Sequence, residues 1–121
     1  MQIHGREYGF LFSVGAEREI MELCPEGDLK NLQALLTASK ADGIRKAVEM
    51  LCALSRWYEK AAALEQGPDY VQQPLTPELI ELLPFSQFQA LQAEAAQCIL
   101  RDCGQSVEAA PGKKEKAPRS S

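Results

Sequence analysis

The stretch DGIRKAVEMLCALSRWYEKAAALEQ, from Asp42 to Gln66, decides how this chain folds. It contains no proline and one early glycine, and the pair Gly67, Pro68 ends it, so it predicts a single long helix. At about 100° per residue, Arg45, Glu49, Arg56 and Lys60 fall into one narrow polar sector. The apolar arc is correspondingly wide. Ile44, Ala47, Val48, Leu51, Leu54, Tyr58 and Ala62 form its middle, and Met50, Trp57, Ala61 and Leu64 form a second stripe on one flank. Two surfaces are needed to cover such a helix: one from the rest of the chain, and one from a hairpin, a second subunit or a partner. Trp57 is either core or interface on this reading.

Before this helix, EYGFLFS places Tyr8, Phe10 and Phe12 in alternation with Gly9, Leu11 and Ser13, the pattern of a strand with an aromatic face. With Ile3 starting a short extended segment and HGRE as the turn, a β-hairpin over residues 2–13 is expected. An isolated hairpin is marginal in water, so its aromatic face should rest on helices, and its free edge is a candidate self-association surface at Tyr8, Phe10 and Phe12. Ser13 is a good N-cap and Gly15 relaxes the backbone at the join, which starts a helix near residue 16 that Pro25 ends after residue 24. Asp28 then caps a second helix over 29–38, carrying Leu29, Leu32, Leu35 and Leu36.

Beyond the long helix, the Thr76, Pro77 pair marks a helix start, with a short helix expected over 77–83 until Pro84 interrupts it. A last helix over 85–103 sets Phe85, Phe88, Leu91, Ala95 and Ile99 on one face, with Gly104 at its end. The fold class is therefore α+β and mostly α: a hairpin packed on four or five helices in one domain, residues 1–103.

Residues 104–121, GQSVEAAPGKKEKAPRSS, carry too little apolar surface to offset the entropy of ordering, and a disordered tail is expected. Lys113, Lys114, Lys116 and Arg119 against Glu108 and Glu115 make it basic, net +2, leaving −6 of the chain's net −4 on the body. An acidic body argues against nucleic acid as the principal partner. Apolar runs are short and Met1 to Phe12 lacks a secretory signal, so a cytoplasmic protein without a membrane span is expected.

No catalytic or cofactor constellation emerges. Cys24, Cys52, Cys98 and Cys103 do not have metal-knuckle spacing and are expected to be reduced thiols, mainly packing groups. His4 is the single histidine and has no neighbouring nucleophile, while Glu17, Glu19 and Glu22 are expected to be solvated helix carboxylates. Phosphate loops, His-Glu metal motifs and dinucleotide fingerprints do not occur in the sequence. The expectation is a binding protein, not an enzyme, with no cofactor and no metal.

The opening IHGREYGFLFSVGAEREI, residues 3–20, with its Gly-basic-Glu-Tyr turn, aromatic strand and Gly-Ala helix start, resembles small tail assembly chaperones of long-tailed bacteriophages and prophages. PLTPELIELLPFSQFQALQAEAAQCI, residues 74–99, is similar to the C-terminal part of such proteins. Together the two stretches cover less than half of the chain. The resemblance implies a chaperone that keeps the tape measure protein soluble while tail tube subunits are recruited, without entering the finished virion. Many proteins of that family also have a longer, frameshifted form, and here Gly112, Lys113 and Lys114 are either a candidate slippage point or part of a plain charged terminus. Under this reading Met50, Trp57, Ala61 and Leu64 contact the partner and the chain acts in the bacterial host cytoplasm, as an oligomer if the Tyr8–Phe12 edge pairs. The alternative is a small cytosolic helical adaptor using the same surface.

Overall fold

The computed structural model describes residues 2–37 and 40–103. The expected disordered tail and its slippage point lie outside the described residues. Two short strands, β1 (Gln2–Ile3) and β2 (Arg6–Glu7), pair antiparallel with Gln2 opposite Glu7 and Ile3 opposite Arg6. Between them His4 and Gly5 both have positive φ, 52° and 82°, the pattern of a tight hairpin turn whose twist matches that of the strands. Five helices follow: α1 (Val14–Leu23), α2 (Gln33–Leu36), α3 (Ala41–Gln66), α4 (Pro77–Glu81) and α5 (Phe85–Cys103). The fold is mostly helical with an N-terminal hairpin, as the sequence predicts.

The hairpin is shorter than its expected span of 2–13. Its ladder ends at Glu7, and residues 8–13 belong to no strand, with backbone hydrogen bonds from this segment going to helices. Leu11 N–H donates to the Leu54 carbonyl of α3 at 3.1 Å, and Phe12 N–H donates to Asp102 of α5 at 3.0 Å. Tyr8, Phe10 and Phe12 are buried, so the alternation of the sequence does describe which side chains face the core.

Ser13 caps α1, its hydroxyl oxygen accepting from Ala16 N–H, and the helix begins at Val14, slightly earlier than expected. Ala16 and Ile20 are fully buried on α1. The expected helix over 29–38 is instead a 3₁₀ turn, Leu29–Asn31, followed by the single-turn α2. Local side-chain bonds compete with helix propagation there: the Asn31 amide donates to the Pro25 carbonyl and the Thr37 hydroxyl to the Gln33 carbonyl. Leu35 is fully buried, while Leu29, Leu32 and Leu36 are only partly covered.

The centre is α3. Every residue from Met50 to Ser55 is buried, a run that no single helix face supplies, because α1, α2, α4 and α5 all pack on α3. Full burial of one such Leu or Met side chain contributes about 1.5–3 kcal/mol. The polar sector is Arg45, Glu49, Arg56 and Lys60, and Arg56 crosses to α1 as an ion pair with Glu19. Gly67, at φ 100°, ends the helix with its N–H on the Ala63 carbonyl.

Two buried polar side chains on α3 then fix the following loop. Ser55 Oγ accepts from Leu75 N–H at 2.8 Å, and Glu59 Oε1 accepts from the Tyr70 hydroxyl at 2.8 Å and from Gln73 N–H at 2.9 Å. Arg6 joins them, 3.9 Å from the Glu59 carboxylate and hydrogen-bonded to the Gln73 side chain, which pins β2 to the same loop. Thr76 caps α4 as expected, and the carbonyl of Pro84 accepts the Phe88 N–H that starts α5. On α5 the buried face is Phe88, Leu91, Gln92, Ala95, Cys98 and Ile99, with Phe85 half-exposed rather than buried.

Candidate functional site

The four residues expected to contact a partner separate along α3. Met50 is fully buried in the core and offers no contact surface, which corrects its assignment. Trp57 and Ala61 are half-buried, and Leu64 is 89% exposed, in the last turns of α3 beyond the stretch the other helices enclose. An accessible flank of Trp57, Ala61 and Leu64 therefore remains. Val14, 84% exposed, adjoins the glycine on which Trp57 rests.

That glycine is Gly15. A Cβ there would lie 2.4 Å from the Trp57 indole, so α1 and the ring are in flush contact only because the position has no side chain. Gly15 lies within α1 and its φ is not positive, so its contribution is space and not the backbone freedom expected at the join. Gly9 does the same for the next residue of α3: a Cβ on it would lie 2.5 Å from the Tyr58 ring. Consecutive aromatic side chains of α3 are thus seated on two different elements, Trp57 on α1 and Tyr58 on the extended segment. The sequence signal was present in the two glycines, but glycine in a strand or near a helix start has several commoner explanations.

The outer face of Trp57 carries Lys60, whose Nζ sits 4.3 Å from the ring centroid, a cation–π contact. Its Nε1 is buried and has no hydrogen-bond acceptor among the described residues. A buried indole N–H usually finds a partner, so this side chain is incompletely satisfied within the fold.

Tyr8, Phe10 and Phe12 point into the core, so their rings do not form an outward self-association face. Their backbone is also engaged. Arg101 Nη2 donates to the Phe10 carbonyl at 3.1 Å and Asp102 Oδ2 accepts from Phe12 N–H at 3.0 Å. Arg101, hydrogen-bonded to Asp102, holds that carboxyl well below the usual carboxylate range, at about 2, with the Phe12 amide acting in the same direction. An open groove of about 730 Å³ runs between Glu7–Phe10 and α5, where Ala90, Ala93 and Gln97 form the far wall.

A second apolar surface escaped the sequence reading. Phe85 and Leu82 are exposed by half or more at the α4–α5 junction, and Phe85 lines both a cleft with Ile44 and Val48 of α3 and one with Leu36 of α2. It was hidden because Phe85 continues the α5 apolar stripe, which predicts burial. Residue 44 lies about 30 Å from residue 64 along α3 at 1.5 Å per residue, so the two surfaces sit at opposite ends of that helix.

Several of the groups considered for chemistry have structural partners. His4 Nε2 lies 3.3 Å from the Leu79 carbonyl, and Glu22 is 4.0 Å from Arg18. Burial pushes the thiols of Cys52 and Cys98 up to about 11 and about 12, so they stay protonated and weakly nucleophilic. Among the described residues no cluster of His, Cys, Asp and Glu could hold a metal ion, and no helix is long and apolar enough to cross a membrane. Compared with protein-family models, curated proteins and solved structures, the chain matches none.

Proposed function

We propose that this chain is a protein-binding chaperone of phage tail assembly, which uses the open flank of α3 to cover an apolar helix of the tape measure protein and keep it soluble. The observation that supports this is the exposure of Leu64, at 89%, in line with Trp57 and Ala61 at the end of a helix whose middle is enclosed by the core. A partner's amphipathic helix laid along that flank covers Leu64 and the Trp57 ring together. The resemblance of residues 3–20 and 74–99 to tail assembly chaperones supplies the identity of the partner, and recruitment of the tail tube protein follows from the same resemblance. The chaperone works in the cytoplasm of the bacterial host.

The test is co-expression with a phage tape measure protein, followed by affinity purification and light scattering. The wild-type chain should yield a soluble complex, and Leu64→Asp, which alters an exposed position, should fold normally and recover at least tenfold less partner. A partner that stays insoluble beside the wild-type chain overturns the tail-assembly reading and favours a general helical adaptor. A Leu64→Asp variant that binds undiminished removes the α3 flank as the contact surface.

A further inference from the structure

In the last turn of α5, Arg101 and Asp102 meet the extended segment at two successive positions on one edge. The guanidinium donates to the carbonyl of Phe10, and the carboxylate accepts from the N–H of Phe12. In a parallel β-ladder the residue opposite Leu11 makes that same pair of bonds, one to the carbonyl before Leu11 and one to the amide after it. Leu11 itself turns its N–H the other way, to the Leu54 carbonyl of α3. Two side chains on a helix end therefore fill the place a neighbouring strand fills with its backbone.

The pair is braced to hold this position. Arg101 Nη2 lies 2.9 Å from Asp102 Oδ2 and Nε lies 2.8 Å from Oδ1, and the Cys98 thiol approaches Oδ2 at 3.5 Å. Beside the clasp the same edge borders the open groove along α5, whose wall at Ala90 and Ala93 is low. Phe10 N–H, on this edge, has no hydrogen-bond partner among the described residues. With its carbonyl released by Arg101, Phe10 would present both groups of a ladder position on one side. A second copy of this chain related by a two-fold axis through Phe10 offers the same two groups in reverse, so the edge is self-complementary in the antiparallel sense.

We propose that the Arg101–Asp102 clasp is an autoinhibitory cap: closed, it occupies the edge of residues 10–12, and open, it frees that edge to pair with the same segment of a second copy. Capping of an unpaired edge by charged side chains is a recognised way to prevent unwanted strand pairing. Here the charged pair belongs to another element, so the edge is released when the last turn of α5 moves, without unfolding the core.

Native-state hydrogen exchange on the full chain tests this. The Phe12 amide should exchange through a local opening, at least tenfold faster than the amides of Leu51 and Leu54 in α3, with little dependence on denaturant. Arg101→Ala and Asp102→Ala should accelerate Phe12 exchange by tenfold or more. Both should also drive concentration-dependent dimerisation in sedimentation, with cross-links between the 7–12 segments of two copies, while wild type at the same concentrations shows no such cross-links. Phe12 exchange only with global unfolding, or opened variants that associate no more than wild type, would overturn the proposal. If Asp102→Ala does not fold, Arg101→Ala, which removes the brace on Asp102 and the donor to the Phe10 carbonyl, carries the same comparison, and the wild-type exchange measurement requires no variant.

Discussion

At the residue scale, two glycines and one tryptophan set how closely the elements approach. Gly15 lies against the flat of Trp57, and the added methyl of Gly15→Ala would overlap the indole. Alanine gains up to about 1 kcal/mol over glycine in a helix interior. Overpacking costs about 1–3 kcal/mol and is the larger effect here, unless the indole swings out. Both outcomes have one signature. Trp57 is the single tryptophan of the chain, so the fluorescence reports the surroundings of this one ring. Gly15→Ala should shift its emission to the red and lower stability by about 1 kcal/mol in urea unfolding. Unchanged emission with raised stability would show that α1 and the ring do not meet as described.

At the element scale, α3 shows why a helical stripe is an incomplete guide to surface. Met50, Trp57 and Leu64 follow one another at seven-residue steps and point in nearly the same direction. Their burial nevertheless runs from complete to 89% exposed, because the surrounding helices cover the middle of α3 and not its end. Periodicity gives the azimuth of a side chain; the axial position of its cover is a tertiary fact. Met50→Ala should therefore cost about 2–5 kcal/mol, as a core truncation does. Leu64→Ala should stay within about 0.5 kcal/mol of wild type. Equal effects of the two in urea unfolding would mean that the end of α3 is covered in solution.

The same distinction explains what else was legible. The starts of α4 and α5 could be read from Thr76, Pro77 and Pro84 because proline and cap chemistry act locally. The break between Asn31 and Gln33 could not, since it depends on the Asn31 amide reaching back to Pro25. Residues 8–13 do not form the expected strand: Tyr8, Phe10 and Phe12 are buried as their alternation implies, but the hydrogen-bond partners of Leu11 and Phe12 come from α3 and α5, distant in sequence and carrying no local signal. Of the candidate surface, Trp57, Ala61 and Leu64 were legible from the helical stripe, and Phe85 was not.

At the scale of the whole molecule, the N-terminal stretch is fastened to the second half of the chain at three places: His4 at Leu79, Arg6 at Glu59 and Gln73, and the Phe10–Phe12 edge at Arg101 and Asp102. Asp102 links the last of these to pH. Its carboxyl is held at about 2, below the ordinary aspartate value of 3.8, chiefly by the Arg101 hydrogen bond and also by the Phe12 amide and the Cys98 thiol. A depressed carboxylate stabilises the fold fully above its unfolded value, and that contribution is lost as pH falls through the folded one. Other carboxylates titrate over the same range, so the informative quantity is the difference between wild type and Asp102→Asn. Above about pH 5 the wild type should be the more stable, and the gap should narrow steadily as pH falls from 4 towards 2, because protonation of Asp102 removes the charge the variant already lacks. A gap that stays constant across this window in urea unfolding would mean that the charge of Asp102 contributes nothing to holding the segment, leaving only the neutral hydrogen bond to Phe12.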